Sequence, residues 1–430
     1  MARAIGIEAA RREVLARVRP TAVEEVGLDL ALGRHLAVDA VAAGPFQPFD
    51  NSAMDGFAVR AEDVAGASAD SPVALEVVDE SRAGHPAGRA LGPGEAIAIS
   101  TGAVLPDGAD AVVRVEDTER ERDRAERFDP AASLRDGAYG PGGERVLVAV
   151  AAPLGANVRR AGEDISAGET VVRAGMELGP AELGALATIG LDPAPVRRRP
   201  RVAVVTSGDE LTAPGRALGP GGIRDSNSLT VPALARLAGA EVVSVDWTAD
   251  EPEATRAALG RALEANVAIV CGGVSVGEHD YVKAALAELG AEEVFWRVKL
   301  KPGGPTWFGT RGDTLAFGLP GNPVSVMVTF LTFVRPALIA MAGGDPATRR
   351  TTARLGAAYE KPTDRAHAVR CRLELDEHGW VAWPLPRQGS HVLTSMLAAD
   401  ALALVPAESA VMEAGETVEV ELLDRNTMGR

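Results

Sequence analysis

Apolar residues recur at helical spacing between Glu8 and Val18, at Ala10, Val14 and Val18, and the leucine-rich run from Leu28 to Leu36 predicts a continuation of this helical entry segment. After Pro45 the pattern shortens. Val73–Val78, Ala96–Ile99 and Ala111–Val115 read as strands between turns such as Leu91-Gly92-Pro93-Gly94 and Leu105-Pro106-Asp107-Gly108. From 116 to 143, alternating charges and then glycines leave little to bury, which predicts a solvated loop. The run Arg197-Arg198-Arg199-Pro200-Arg201, beside Pro193 and Pro195, marks a domain junction or a phosphate contact. Beyond it Val202–Val205, Val242–Val245, Val267–Val270 and Thr314–Phe317 read as strands. They alternate with helical patterns at Leu229–Leu237, Glu253–Leu263 and Tyr281–Leu289, which implies a parallel sheet with right-handed crossovers. Short strands return at Arg370–Leu375, Trp380–Trp383 and Thr417–Leu423, a small antiparallel β-domain.

These patterns predict a multi-domain α/β plus β architecture. Its parts are a discontinuous N-terminal region of helix and linker (1–44 and 151–197), an inserted β-rich domain (45–150), an α/β domain with a parallel-rich sheet (198–345) and a C-terminal β-domain (346–430). The length of 430 residues agrees, at roughly 100–200 residues per domain. A formal net charge of −16 argues against nucleic acid as a partner, because it lacks the basic stripe that displaces counterions. The longest uncharged stretch, Leu315–Val334, is interrupted by Gly318, Pro320, Gly321, Asn322 and Pro323, so no membrane segment is expected. Cys271 and Cys371 are far apart and in no Cys-x-x-Cys pair, and the first twenty residues lack an apolar signal core. A reducing cytoplasm is the expected location.

Three loops gather the chemistry. Thr206-Ser207-Gly208-Asp209-Glu210-Leu211 follows the first α/β strand, with glycine giving access to the backbone and two acids next to it. Cys271-Gly272-Gly273-Val274-Ser275-Val276-Gly277-Glu278-His279-Asp280 follows the strand Val267–Val270 and is richer than a plain strand-to-helix turn requires. In Gly318-Leu319-Pro320-Gly321-Asn322-Pro323, Asn322 is placed as a helix N-cap and Pro323 at the first helical position; capping and anion binding at that helix end are compatible. All three leave carboxyl ends of strands, where an open parallel sheet binds ligands. Alternation in Phe295–Pro305 sends Arg297, Lys299 and Lys301 to one strand face. With Glu210, Asp250 and Asp280, this row suits Mg²⁺ on a phosphorylated ligand, although Asp250, before Pro252, is equally a helix cap. Gly273-Val274-Ser275-Val276-Gly277 also fits a hydrolase nucleophile elbow, but the loop continues too far before helical spacing resumes.

Taken together, the motifs resemble the MoeA family, the molybdopterin molybdenumtransferases, to which the E domains of gephyrin and plant Cnx1 also belong. The likeness is carried by Pro48-Phe49-Asp50-Asn51-Ser52-Ala53-Met54-Asp55-Gly56, Gly162-Glu163-Asp164-Ile165, Thr206–Leu211, Gly272–Gly277, Lys301-Pro302-Gly303, Leu319–Pro323 and Gln388-Gly389-Ser390-His391, in order along nearly the whole chain. It implies a molybdopterin-binding α/β domain, a C-terminal β-barrel-like domain, and a homodimer with active sites between subunits. It also implies Mg²⁺-dependent insertion of molybdate into adenylylated molybdopterin with release of AMP.

By the same resemblance Asp55, Asp164, Glu210, Asp250 and Asp280 are the catalytic acids, with Glu210 and Asp280 as metal ligands. Thr101, Ser207, Gly208, Asp209, Gly272, Gly273, Ser275, Gly277, Arg297, Lys301, Pro302, Gly303, Pro320, Gly321 and Asn322 would bind substrate, and Arg370 with Ser390 would hold molybdate. A contact with the molybdopterin adenylyltransferase is also implied. Gly304 departs from the pattern, standing where many relatives carry Lys; Lys299 is the candidate substitute. The charged insertion at 116–143 has no counterpart. Alternatives of the same lineage are a molybdopterin adenylyltransferase, which shares the α/β domain, and a non-catalytic gephyrin-like scaffold.

Overall fold

A computed structural model describes residues 4–121, 144–274, 281–347 and 350–423. Ser275, Gly277 and Asp280, and most of the charged insertion, lie outside the described residues. The chain forms two compact units, one from Ala40–Val172 with Ala185–Leu191, the other from Met1–Asp39, Arg173–Gly184 and Asp192–Arg430.

The first unit is built on one mixed sheet. Its strands are β1 (Gly56–Val59), β2 (Val73–Ser81), β3 (Glu95–Ile99), β4 (Ala111–Arg114), β5 (Thr118–Arg120) and β6 (Arg145–Val148), in the order β4-β1-β3-β2-β6-β5. Phe57, Leu75, Val113 and Val146 fill one buried cluster and Ala58, Ile97, Ile99 and Val112 another, so the sheet is covered on both faces. Gly56 is required by packing, because a Cβ there would lie 1.9 Å from the Val113 carbonyl oxygen. The start of the charged run differs from the expected loop. Thr118–Arg120 pairs with β6, and alternation turns Thr118 and Arg120 inward, where the Arg120 guanidinium meets Glu144 at 3.6 Å.

The second unit joins an α/β sheet to a barrel. The sheet strands are β7 (Arg201–Ser207), β8 (Glu241–Thr248), β9 (Val267–Cys271), β10 (Glu292–Trp296), β11 (Trp307–Arg311) and β12 (Thr314–Leu319), in the order β8-β7-β9-β12-β11-β10. The first four in this order run parallel, and β11 and β10 add an antiparallel edge. Central β9 is Val-Ala-Ile-Val-Cys and buried throughout, whereas edge strand β8 alternates between exposed and half-buried positions, as flanking by one neighbour dictates. In the C-terminal part β13 (Arg350–Leu355), β14 (Ala366–Asp376), β15 (Gly379–Pro384), β16 (Ala401–Val405) and β17 (Thr417–Leu422) close on themselves through the β14–β16 pairing. One hydrophobic cluster runs from Val204 and Phe317 of the sheet through Phe330 and Leu338 to Ala368 and Leu402 of the barrel. Sheet and barrel therefore share a core.

Two expectations fail here. Leu28–Leu36 is not a helix: only Leu28–Leu30 makes a 3₁₀ turn, after which Gly33 (φ 69°) redirects the chain and Leu36 N donates to the Met176 carbonyl at 3.0 Å. Leu30 and Leu32 are exposed, so helical spacing had no face to bury. The cationic row is also broken. β10 ends at Trp296, Arg297 takes a left-handed φ of 77°, and Leu300–Lys301 pairs with β14 of the barrel instead. The glycines and prolines within Leu315–Val334 do interrupt it, separating β12 from a helix that runs over Pro323–Met341; this run of 19 residues is long and apolar enough to cross a membrane, and its most apolar stretch, with a mean hydropathy of 1.9, is 83% buried inside the protein.

That helix contains a π turn at Phe330–Val334 followed by Pro336, which has no N–H to offer the Thr332 carbonyl four residues earlier. Arg11, from helix α1 (Ile7–Leu15), supplies the missing donor: its Nε reaches Thr332 O at 3.0 Å, and its Nη2 reaches Glu421 Oε2 of β17 at 3.1 Å. One buried guanidinium thus ties α1, the core helix and the barrel. Arg11→Ala leaves the Thr332 carbonyl without this donor and takes from Glu421 its nearer cation, with Arg350 Nε remaining at 4.0 Å, and is expected to cost about 3 kcal/mol in urea denaturation. A loss below about 1 kcal/mol would show the tie to be dispensable.

Candidate functional site

The carboxyl ends of β7, β9 and β12 bring the three loops together, as their positions in a parallel sheet require. Ser207 closes β7, and its hydroxyl donates to Asp250 Oδ1 at 2.7 Å. Asp250 N in turn donates to Asp209 Oδ1 at 3.1 Å. The residue preceding the next helix, Pro252–Ala262, is Glu251, so Asp250 belongs to this crevice and is not a cap. Glu210 folds back over Gly208: a Cβ on that glycine would lie 2.5 Å from its Oε2.

Packing explains some of the glycines. Gly272 (φ 99°) sits so close to β7 that a Cβ would meet Ser207 O at 2.7 Å, and one on Gly273 would strike Val282 at 2.6 Å. Gly321 is less confined, with the Gly272 Cα at 3.6 Å. Asn227, which the sequence reading missed, donates Nδ2 to Gly321 O at 2.8 Å and keeps a buried Oδ1 without a partner among the described residues. It begins a helix whose Ser228 N–H is capped by buried Asp225. The Asp-Ser-Asn run before a helical pattern was the available signal.

The same turn forms part of a second group. A cavity of about 560 Å³ is lined by Lys301, Pro302, Gly303, Gly304, Pro320, Asn322, Ser325, Tyr359, Arg365, His367, Arg370, Gln388, Ser390 and His391, among others. No acid lines it. Asn322 precedes the core helix without a side-chain capping bond, with Pro323 in the first turn, so the positive helix end borders the cavity. Gly303 (φ 116°) packs against Thr329, which a Cβ would approach to 2.4 Å.

Arg370 is 1% exposed. Its Nε donates to Ser395 Oγ at 3.2 Å and its Nη2 to the carbonyls of Arg387 and Gly389 at 3.4 and 3.3 Å. No carboxylate pairs with it among the described residues, and burial lowers its affinity for its proton. Gln388 fixes the strand beside it, receiving Arg370 N at Oε1 and donating Nε2 to Arg370 O. Next to Gly304 stands Arg365, its Nη1 3.7 Å from where a Cβ would be. Exposed Lys299 is not among the lining residues, so Arg365 rather than Lys299 supplies charge at that flank. Tyr359, Arg365 and His367 carried no signal in sequence, because only the closed barrel brings them to this mouth.

Other candidates have partners of their own. Arg297 packs its guanidinium 4.6 Å from the ring of Trp296, whose Nε1 donates to Val274 O at 3.1 Å, and it does not line the cavity. Asp55 and Thr101 meet each other within the first unit: Asp55 Oδ1 accepts Thr101 N at 2.7 Å and Thr101 Oγ1 at 3.1 Å. Exposed Asp164 is in that unit too. Nearby Asp50 is held below the usual carboxylate range by the Ala161 N–H and by Arg160. For Mg²⁺, the described residues offer no group of three acids, histidines or cysteines, so Asp209, Glu210 and Asp250 do not converge as a ready-made cage. Each brings hard carboxylate oxygens of the type Mg²⁺ takes, and an ion held here by one of them would draw most of its ligands from phosphate and water.

The comparisons with known proteins follow the same division. Residues 5–190 match the MoeA N-terminal region (domain I and II), 203–340 the probable molybdopterin binding domain and 352–423 the MoeA C-terminal region (domain IV). Molybdopterin molybdenumtransferase 2 of Mycobacterium tuberculosis is 37% identical over 95% of this chain and 96% of its own. The molybdopterin molybdenumtransferase of Bacillus subtilis is 34% identical over 97% and 94%. The crystal structure of the molybdopterin biosynthesis MoeA protein from Pyrococcus horikoshii superposes with a TM-score of 0.80 at 31% identity, covering 98% of this chain and 100% of that one. Domain order and fold both follow this shared frame, and the chain belongs to the MoeA family, the molybdopterin molybdenumtransferases.

Proposed function

We propose that this protein inserts molybdate into adenylylated molybdopterin, with Mg²⁺-dependent release of AMP, as a step of molybdenum cofactor biosynthesis. The observation that carries this reading is the buried Arg370 guanidinium, beside Ser390 in a cavity where the described residues supply neither a carboxylate partner nor any lining acid. In a chain of net charge −16, a dianion gains a foothold only where local cations outweigh the general field. Arg370, Lys301 and the helix end at Asn322 supply that place, and Ser390 and Ser325 add hydroxyl donors.

The crevice serves the other half of the substrate. Ser207, its proton committed to Asp250, presents an oxygen able to accept from a pterin N–H. Asp209 holds the backbone of Asp250 and so fixes that serine. Glu210, and Asp280 by the resemblance, are the carboxylates that would hold Mg²⁺; the ion, when bound, stabilises charge on the phosphate that leaves with AMP. Gly321, Pro320 and Asn322 place both ends of the substrate along one turn.

A homodimer in the cytoplasm, drawing substrate from the adenylyltransferase, completes the reading. Two buried cysteines left as free thiols suit a reducing compartment. In a dimer, Asp55, Thr101 and Asp164 of one subunit would serve the crevice of the other.

Purified protein given adenylylated molybdopterin, molybdate and Mg²⁺ is expected to release one AMP per molybdenum inserted. Absence of Mg²⁺-dependent AMP release would reject the insertase, and adenylylation of free molybdopterin from ATP would favour the adenylyltransferase instead. Arg370→Ala is expected to lower molybdate-dependent turnover by about 100-fold while binding of adenylylated molybdopterin stays within about threefold. Turnover equal to the wild type would remove Arg370 from the oxyanion site.

A further inference from the structure

His367 pairs in register with Lys301 across the barrel edge, and it forms part of the cavity wall. The residue is 5% exposed. Its Nδ1 stands 3.0 Å from the Tyr359 hydroxyl, while its Nε2 is buried without a hydrogen-bond partner among the described residues. Neither neutral tautomer resolves this. If Tyr359 donates to Nδ1, Nε2–H is an idle donor; if Nδ1–H donates to Tyr359, Nε2 is an idle acceptor.

The charges around the ring are one-sided. Lys301 acts on it from the neighbouring strand, and Lys361 and Arg365 from the segment after Tyr359; Asp364 is the only acid among the groups that bear on it. Arg370 follows on its own strand, and Val405, opposite it on β16, is uncharged. Lys361 cannot swing away, since its Nζ donates to the carbonyls of Pro362, Arg365 and Ala407 at 3.1, 3.0 and 3.1 Å. Burial first, and these cations second, hold the imidazole at a pKa of about 4, so it is neutral in the unliganded protein near pH 7.

We propose that His367 couples oxyanion binding in this cavity to proton uptake: a tetrahedral dianion offsets the surrounding cations, and the imidazole takes one proton from solvent. The inference rests on the reading of the cavity as the molybdate site. The ring becomes an imidazolium that donates Nδ1–H to the Tyr359 oxygen and carries a second N–H at Nε2. No bond other than that to the proton changes. His367 is then a positioning residue that favours dianions over monoanions of the same shape, because only the larger charge overcomes the cations that keep the ring neutral.

Calorimetric titration of the full-length protein with molybdate, at pH 7 in buffers of different ionisation enthalpy, counts the protons directly. The wild type is expected to take up between about half a proton and one proton per molybdate, and to bind about three- to tenfold more weakly at pH 7.5 than at pH 6.5. Perrhenate, a tetrahedral monoanion, is expected to bind with little uptake. His367→Gln should still bind molybdate, with uptake near zero and a flat pH profile. Molybdate binding by the wild type without proton uptake, or uptake retained in His367→Gln, overturns the inference and leaves the insertase reading standing. Failure of the wild type to bind molybdate at all would defeat that reading first and the inference with it. Should the variant fail to fold, the wild-type buffer series alone decides.

Discussion

The turn Pro320–Asn322 is held from two sides, and the candidate site depends on that constraint. On the sheet side Gly272 N donates to Leu319 O and Asn227 to Gly321 O; on the barrel side Val324 N donates to Ser390 O. Behind the turn runs a helix sunk in the core common to sheet and barrel. Because no free loop intervenes, the crevice of acids and glycines and the cationic cavity keep a fixed spacing, which is what a substrate with a pterin, a phosphate and an oxyanion partner needs. Arg11 maintains the same arrangement from a distance, by satisfying the carbonyl that Pro336 leaves open and the carboxylate that the barrel buries.

Charge gives the cavity its selectivity. The chain as a whole repels anions, yet Arg370 is buried with neutral oxygen acceptors where an acid might be expected. A guanidinium so placed is costly until an anion arrives. His367 beside it is likewise a buried polar group, with Nε2 lacking a partner among the described residues.

Much of this was legible in the sequence, for physical reasons. Strands such as β9 are short apolar runs closed by glycine, and their order in a parallel sheet places Ser207, Gly272 and Gly321 at one edge without further information. Local pattern failed where tertiary contacts decide. Leu28–Leu36 has helical spacing but glycines and an extended neighbour. Arg297 breaks a strand that alternation would have continued. Tyr359, Arg365 and His367 reach the cavity only through barrel closure, and no local motif encodes that.

The account's central claim is that crevice and cavity hold one substrate pair across a single turn. A crystal structure of the protein with adenylylated molybdopterin and molybdate tests it most directly. The pterin and phosphates should lie against Ser207, Gly272 and Gly321, with the oxyanion in hydrogen-bond contact with Arg370 and Ser390. Molybdate lodged elsewhere, or the nucleotide conjugate bound away from the strand ends, would contradict it.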